Sequence, residues 1–246
     1  MQWQDEGIVL GIRRHGETSV ILDLLTRARG RHAGLVRGGR SPRLQPVLQP
    51  GNSVAAAWQG RIENQLGHYR VEGTVSRAAR FLDSPLSLNG LGLLAALLRL
   101  LPEHDPHPAL YDAALVVLDH LDDPHVAPVL LVRFELALLA EFGFGLDLAQ
   151  CAVTGATQEL VYVSPRSGRA VSLRAGASYH DRLLPLPAFL RDADSGRGFM
   201  AGAGHPGVDA VRQGFALTGH FLARHLFAPR DAPLPDARAR FLALLE

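Results

Sequence analysis

The run Gly7-Ile8-Val9-Leu10-Gly11-Ile12-Arg13-Arg14-His15-Gly16-Glu17-Thr18-Ser19-Val20-Ile21-Leu22-Asp23-Leu24-Leu25 reads as two strands joined by a turn. Ile8, Leu10 and Ile12 alternate with Val9 and Gly11, the period of two that puts successive side chains on opposite faces of a strand. Val20, Leu22 and Leu24 alternate in the same way with Ile21, Asp23 and Leu25. Between them, Arg14-His15-Gly16-Glu17 supplies a glycine for the positive φ of a tight turn. Working outward, a third strand is expected over 32–36, after the turn at Arg29-Gly30. Val54, Ala56 and Trp58 share one face of a fourth, and Tyr69, Val71 and Val75 mark a fifth. Gly38-Gly39-Arg40-Ser41-Pro42-Arg43 reads as a loop, followed by a short connector to Pro50-Gly51. Five short strands with glycines at the bends suit a small closed barrel, because closure removes sheet edges that would pair with other chains. The size and spacing are those of an OB-type barrel.

From Ser84 the texture changes. Ser87 is placed to cap a helix over 88–101, ended by Pro102. Leu110, Ala113, Ala114, Val117, Leu118 and Leu121 form a helical stripe, and a further helix is expected over 126–142, before Gly143. An irregular segment, 147–176, holds two weak strands at 160–163 and 170–173. A glycine-rich break over 196–207, a helix over 208–227 and a last helix over 236–245 complete the chain. The expected class is α+β: an N-terminal five-stranded OB-type β-barrel (1–80) followed by a mainly helical domain (81–246) with a small β insertion.

The composition, 47% hydrophobic and 20% charged, is that of a globular protein and excludes collagen-like and disordered classes. A single cysteine, Cys151, excludes an intrachain disulfide. The longest apolar run, Leu91 to Leu98, is far shorter than the ~20 residues of a membrane span. Met1-Gln2-Trp3-Gln4-Asp5-Glu6 has neither the basic start nor the apolar stretch of a secretion signal, so the cytoplasm is the expected compartment.

The formal charge of +1 conceals a division. Residues 1–80 carry 12 arginines and 6 acids, residues 81–160 carry 2 and 11, and residues 161–246 carry 11 and 7. All 25 basic residues are arginine. The basic first third is a candidate polyanion face, and the acidic middle is not.

Catalytic patterns are absent from the sequence. Without lysine there is no P-loop and no lysine Schiff base, so pyridoxal phosphate chemistry through lysine is excluded as well. Gly198-Phe199-Met200-Ala201-Gly202 lacks the serine of a nucleophile elbow. His220 and His225 are five apart, which is not the spacing of a helical metal site. Asp119, Asp122 and Asp123 read as a solvated helix end. His104, Asp105 and His107 on one loop are the nearest approach to a catalytic cluster. Cys151 reads as a small buried apolar residue.

The arginines are more informative. Arg13, Arg14, Arg27, Arg29, Arg31, Arg37, Arg40, Arg43 and Arg61 fall on expected turns or strand ends. A guanidinium is a planar fork that holds phosphate oxygens bidentately. Arg13, Arg14, Arg37, Arg40, Arg43 and Arg61 are the candidate nucleic-acid contacts, with Arg37, Arg40 and Arg43 first. Trp58 and Tyr69 are either stacking surfaces for bases or inward-facing core.

The order and spacing of several segments resemble the RecO family of bacterial recombination mediators. They are Asp5-Glu6-Gly7-Ile8-Val9-Leu10, Gly16-Glu17-Thr18-Ser19-Val20-Ile21-Leu22-Asp23-Leu24-Leu25-Thr26, Gly34-Leu35-Val36-Arg37-Gly38-Gly39-Arg40 and Leu48-Gln49-Pro50-Gly51. Downstream, Phe134-Glu135-Leu136, Gly143-Phe144 before Cys151, and Tyr162-Val163-Ser164-Pro165 with Gly168 also fit.

The resemblance implies an OB barrel with a helical domain, binding to single- and double-stranded DNA, and annealing of complementary strands. It implies RecR and the single-strand-binding protein SSB as partners in loading RecA, and it implies neither an enzymatic activity nor a membrane association. The SSB tail is acidic with an apolar end, so Arg212 and Arg224 are the candidate partner contacts. Many relatives carry a zinc ribbon after Gly143, in which Cys-x2-Cys occurs twice. Here the four positions are Cys151, Thr154, Ser172 and Ala175. Structural zinc takes thiolate or imidazole ligands, so no metal or other cofactor is expected. Leu160, Tyr162, Val163 and Val171 are then expected to hold the small sheet by packing.

Two other readings stand beside this one. An OB-type barrel also serves as a protein-interaction scaffold without a direct DNA role. An enzyme would need His104, Asp105 and His107 to converge in a cleft.

Overall fold

The computed structural model describes residues 1–62, 66–191 and 206–245. They form two compact units, Met1–Asp122 and Asp123–Glu246.

In the first unit, β1 (Gln2–His15), β2 (Ser19–Thr26), β3 (Gly30–Val36), β4 (Ser53–Gln59) and β5 (His68–Val75) close into a barrel in the order β1-β2-β3-β5-β4. β1 makes closure possible by serving two neighbours. Its first half pairs with β4 (Gln2↔Gln59 to Ile8↔Ser53) and its second half with β2 (Gly7↔Thr26 to His15↔Ser19). The strand starts at Gln2 rather than Ile8. Along Gln2 to Glu6 the alternation of exposed and half-buried positions is carried largely by polar residues, which hides it from a hydrophobic count.

The barrel core contains Val9, Val20, Leu22, Leu24, Val54, Trp58 and Tyr69. Trp58 and Tyr69 are 1% and 4% exposed, which excludes the base-stacking reading for both. Trp58 stacks on Trp3 with ring centroids 5.8 Å apart, and the Tyr69 hydroxyl lies 3.0 Å from His32 Nδ1.

The segment between β3 and β4 is more than a connector. Gln45 N–H donates to Ser41 O and Leu48 N–H to Leu44 O, each at 3.0 Å, so the chain winds in helix-like turns. Those turns bury Leu48 fully in the barrel core, with Leu44 and Val47 packed against it.

Three helices complete this unit: α1 (Ala78–Phe81), α2 (Pro85–Leu98) and α3 (Pro108–Asp119). The cap of α2 is Ser84, whose side chain accepts from Ser87 N–H at 3.2 Å. Pro85 follows in the first turn, where a missing N–H costs nothing. Ser87, the expected cap, sits inside the helix, where its buried hydroxyl donates to Leu121 O at 3.0 Å. The change of texture near residue 80 is a change of element type, while the compact unit continues to Asp122. Buried Arg77, which meets Asp119 at 2.6 Å, fastens the continuation, with the more exposed pairs Arg80–Asp122 at 2.7 Å and Arg31–Glu103 at 3.2 Å beside it.

The loop after α2 is pinned to the β2–β3 turn. His104 N–H donates to Arg31 O at 2.9 Å, and Gly30 has φ +68. A Cβ at Gly30 would stand 1.9 Å from Asp105 O. Gly30→Ala is therefore expected to lose about 1–3 kcal/mol of stability, through the left-handed backbone and the collision together. Equilibrium denaturation of the variant measures this.

The second unit contains α4 (Ala127–Glu141), β6 (Leu160–Val163), β7 (Ala170–Ser172), α5 (Leu173–Gly176), β8 (Leu184–Pro185), α6 (Ala188–Arg191), α7 (Val208–Leu222) and α8 (Asp236–Ala243). A wider helical turn, Ala223–Phe227, extends α7 to the end expected from the sequence. The small sheet has the order β7-β6-β8, with Leu160, Val163 and Val171 buried in it. Gly214 lets α7 approach α4, since a Cβ there would stand 3.0 Å from Val132 and Phe189. Most of the glycine-rich break over 196–207, including Gly198 to Gly202, lies outside the described residues. Among the described residues no helix is long and apolar enough to cross a membrane.

Candidate nucleic-acid interface

The β1–β2 hairpin projects from the barrel. Val20 is buried, but every residue from Ile12 to Thr18 is exposed. Arg13 and Arg14 stand on this projection, in register with Ile21 and Val20. The loop carrying Arg37, Arg40 and Arg43 is fastened beside it. Arg40 N–H donates to Thr18 O at 3.0 Å, and the Arg40 guanidinium donates to Glu17 O. Gly39 permits the close approach, because a Cβ there would meet Val20 at 2.5 Å.

Arg37 links this loop to a third segment. Its Nη2 lies 3.2 Å from His68 Nε2, and His68 pairs with Gln59 across the β4–β5 hairpin. Arg70 is two residues further along β5 on the same exposed face, and Arg61 follows β4. The hairpin tip, the 37–43 loop and the β4–β5 hairpin therefore adjoin one another in turn. They carry all six expected contacts, Arg13, Arg14, Arg37, Arg40, Arg43 and Arg61, together with Arg70, which the sequence reading had not singled out. Arg13, Arg14, Arg43, Arg61 and Arg70 are exposed and make no side-chain hydrogen bond or ion pair among the described residues.

The remaining arginines of this unit are engaged differently. Arg27 meets Asp112 at 2.7 Å, and Arg31 meets Glu103 at 3.2 Å and Asp23 at 3.7 Å. Arg77 and Arg80, three apart in sequence, meet Asp119 and Asp122, also three apart. Hydrogen bonding to Arg80 holds the Asp122 carboxyl below its ordinary range. Burial pushes Asp23 upward, against the opposing charges of Arg31 and Arg99. Arg29 lies 5.9 Å from the centre of the Trp3 ring. Charges separated along the sequence are thus paired in space.

In the helical unit, Arg212 donates to Leu245 O at 2.6 Å and Arg224 to Pro165 O at 3.0 Å. Both guanidinium groups anchor backbone carbonyls. His104 is occupied in holding its loop, with its ring edge-on to His32 at 4.6 Å. Asp105 and His107 approach each other at 3.6 Å. Among the described residues no three His, Cys, Asp or Glu side chains come together to hold a metal.

The four ribbon positions keep part of a metal-knuckle pattern. Ser172 N–H donates to Cys151 Sγ at 3.3 Å, and Ala175 N–H to Ser172 Oγ at 3.4 Å. Burial alone would raise the Cys151 thiol. Hydrogen bonds from Thr154 and Ser172 outweigh it and bring the thiol down to about 6. One thiol, two hydroxyls and a methyl do not make a zinc site. Backbone hydrogen bonds and buried Leu160, Val163 and Val171 hold the segment instead. EDTA is expected to leave the thermal midpoint unchanged, and a drop reversed by added zinc would contradict this.

Comparison with known proteins agrees with this architecture. Residues 1–76 match the family model described as Recombination protein O N terminal, and residues 88–232 match Recombination protein O C terminal. A DNA repair protein RecO from Methylorubrum extorquens is 58% identical over 245 residues, covering 99% of this chain and 98% of the relative. The RecO of Beijerinckia indica subsp. indica is 58% identical over 243 residues, covering 99% and 94%. The RecO of Rhodopseudomonas palustris is 54% identical over 244 residues, covering 98% and 95%. With both family models matched in order and full-length relatives above half identity, the chain belongs to the RecO family of DNA repair and recombination proteins.

Proposed function

We propose that this chain is a non-enzymatic DNA-binding mediator of recombination, which docks single and double strands on the arginine-bearing end of its barrel. The observation that carries this reading is the division of the barrel arginines. Arg13, Arg14, Arg43, Arg61 and Arg70, which are exposed and make no side-chain hydrogen bond or ion pair among the described residues, gather on three adjoining segments. Guanidinium groups bind phosphates without reading bases, so recognition is tolerant of sequence.

The same surface supports annealing. No exposed Phe, Trp or Tyr is described on these segments, because Trp58 and Tyr69 are both buried. A strand held there by its phosphates keeps its bases free to pair with a second strand. The partners implied by family resemblance, RecR and the acidic tail of SSB, belong to the same proposal, as do RecA loading and a cytoplasmic, nucleoid-associated location. Arg212 and Arg224 remain the proposed contacts for the SSB tail, Arg224 being exposed beside Pro165.

A mobility-shift series with single strands of unrelated sequence tests the DNA reading. The expected result is equal affinity across sequences that falls with salt, by roughly 0.7 log units per log unit of salt for each phosphate contact. No shift at low salt would favour the scaffold reading of the barrel.

A further inference from the structure

We infer that the acidic residues between Glu103 and Asp122 act as a built-in counter-charge, closing one end of the barrel to phosphates and confining DNA to the other. This inference rests on the DNA-binding reading above. Its clearest element is the pair Arg27–Asp112, at 2.7 Å with the two side chains 57% and 52% exposed. Ion pairs this exposed contribute little to stability. The fastening is done elsewhere, by Arg77, which is buried and bonded to both Ser53 Oγ (2.7 Å) and Asp119 (2.6 Å). Asp112 is therefore dispensable for holding α3, yet it cancels an arginine that would otherwise extend the basic surface along β2.

The neighbours of Arg27 reinforce the effect. Asp5 accepts from Ala28 N–H at 2.8 Å, and Glu6, exposed, accepts from Arg27 N–H through its backbone carbonyl at 3.3 Å. Two carboxylates, those of Asp5 and Asp112, thus flank the β2–β3 turn, and like charge there repels a phosphate chain. The opposite end presents Arg13, Arg14 and Arg43 with no such partners. The barrel is polarised, and a bound strand stops where the acids begin.

Freeing Arg27 should lengthen the DNA track. The test compares wild type, Asp112→Asn and Asp112→Ser with a control, Asp209→Asn, which removes an exposed acid from the second unit. The probe is an oligothymidylate of about 30 nucleotides, longer than one OB site. Both Asp112 variants are expected to steepen the log–log salt slope by ~0.7 per arginine released, while the control keeps the wild-type slope. Wild-type slopes in both folded Asp112 variants, or equal steepening in the control, would overturn the inference and leave the DNA reading standing. A wild type that fails to bind at low salt would overturn both. Because two chemically different replacements are used, misfolding of one leaves the other to decide.

Discussion

Arg37→Glu combined with Arg40→Glu is expected to weaken single-strand binding by about 100-fold or more near physiological salt, to a similar degree for every sequence. Each reversal takes away a proposed phosphate contact and adds a repulsive charge where three arginine-bearing segments adjoin. The fold should tolerate both changes. The two side chains are exposed, and the loop stays fastened by Arg40 N–H to Thr18 O, which does not depend on the side chain. Gly38 and Gly39, which allow the loop its path, are untouched. Anisotropy titrations across a salt series should show the slope shallower by ~1.4, the share of two contacts. Unchanged affinity in a folded variant would remove this loop from the interface.

The second large effect concerns the helical unit. Glu135 on α4 is fully buried and receives Arg238 of α8 through two hydrogen bonds, at 2.8 and 3.1 Å, and the Thr218 hydroxyl of α7. One carboxylate on α4 thus joins it to α7 and α8, 83 and 103 residues further along the chain. Arg238→Met is expected to cost about 3–5 kcal/mol, because it leaves a charge buried without its partner. The double change Glu135→Leu with Arg238→Met is expected to recover much of that loss, since a well-packed apolar pair avoids desolvating two ions. Denaturant unfolding of the two single variants and the double variant measures the coupling. Additive losses would show that the pair does not act as a unit.

The barrel was legible where its strands alternate apolar residues, as from Ile8 to Leu25. It was hidden where polar residues carry the alternation, from Gln2 to Glu6. The helix-like turns between β3 and β4 were hidden for another reason. Glycine and proline at 38–42 announce a loop, and the i, i+3, i+4 spacing of Leu44, Val47 and Leu48 is too short to stand out as a helix. Of the candidate site, the sequence supplied the residues: the six arginines chosen for lying on turns fall on adjoining segments. Which arginines remain unpaired was not legible, because Asp112 and Asp122 reach Arg27 and Arg80 only through the packing of helices onto the barrel. Trp58 and Tyr69 show the same limit, since composition makes them stackers or core with equal ease and only barrel closure decides.

The central claim is that DNA lies on the hairpin tip, the 37–43 loop and the β4–β5 hairpin. The most direct test is photo-crosslinking of a single strand bearing 4-thiothymidine, followed by peptide mapping. Crosslinks concentrated in peptides from 12–18, 37–43 and 59–70 are predicted. Crosslinks concentrated at 26–30 and 103–112, around the acid-paired arginines, would contradict it.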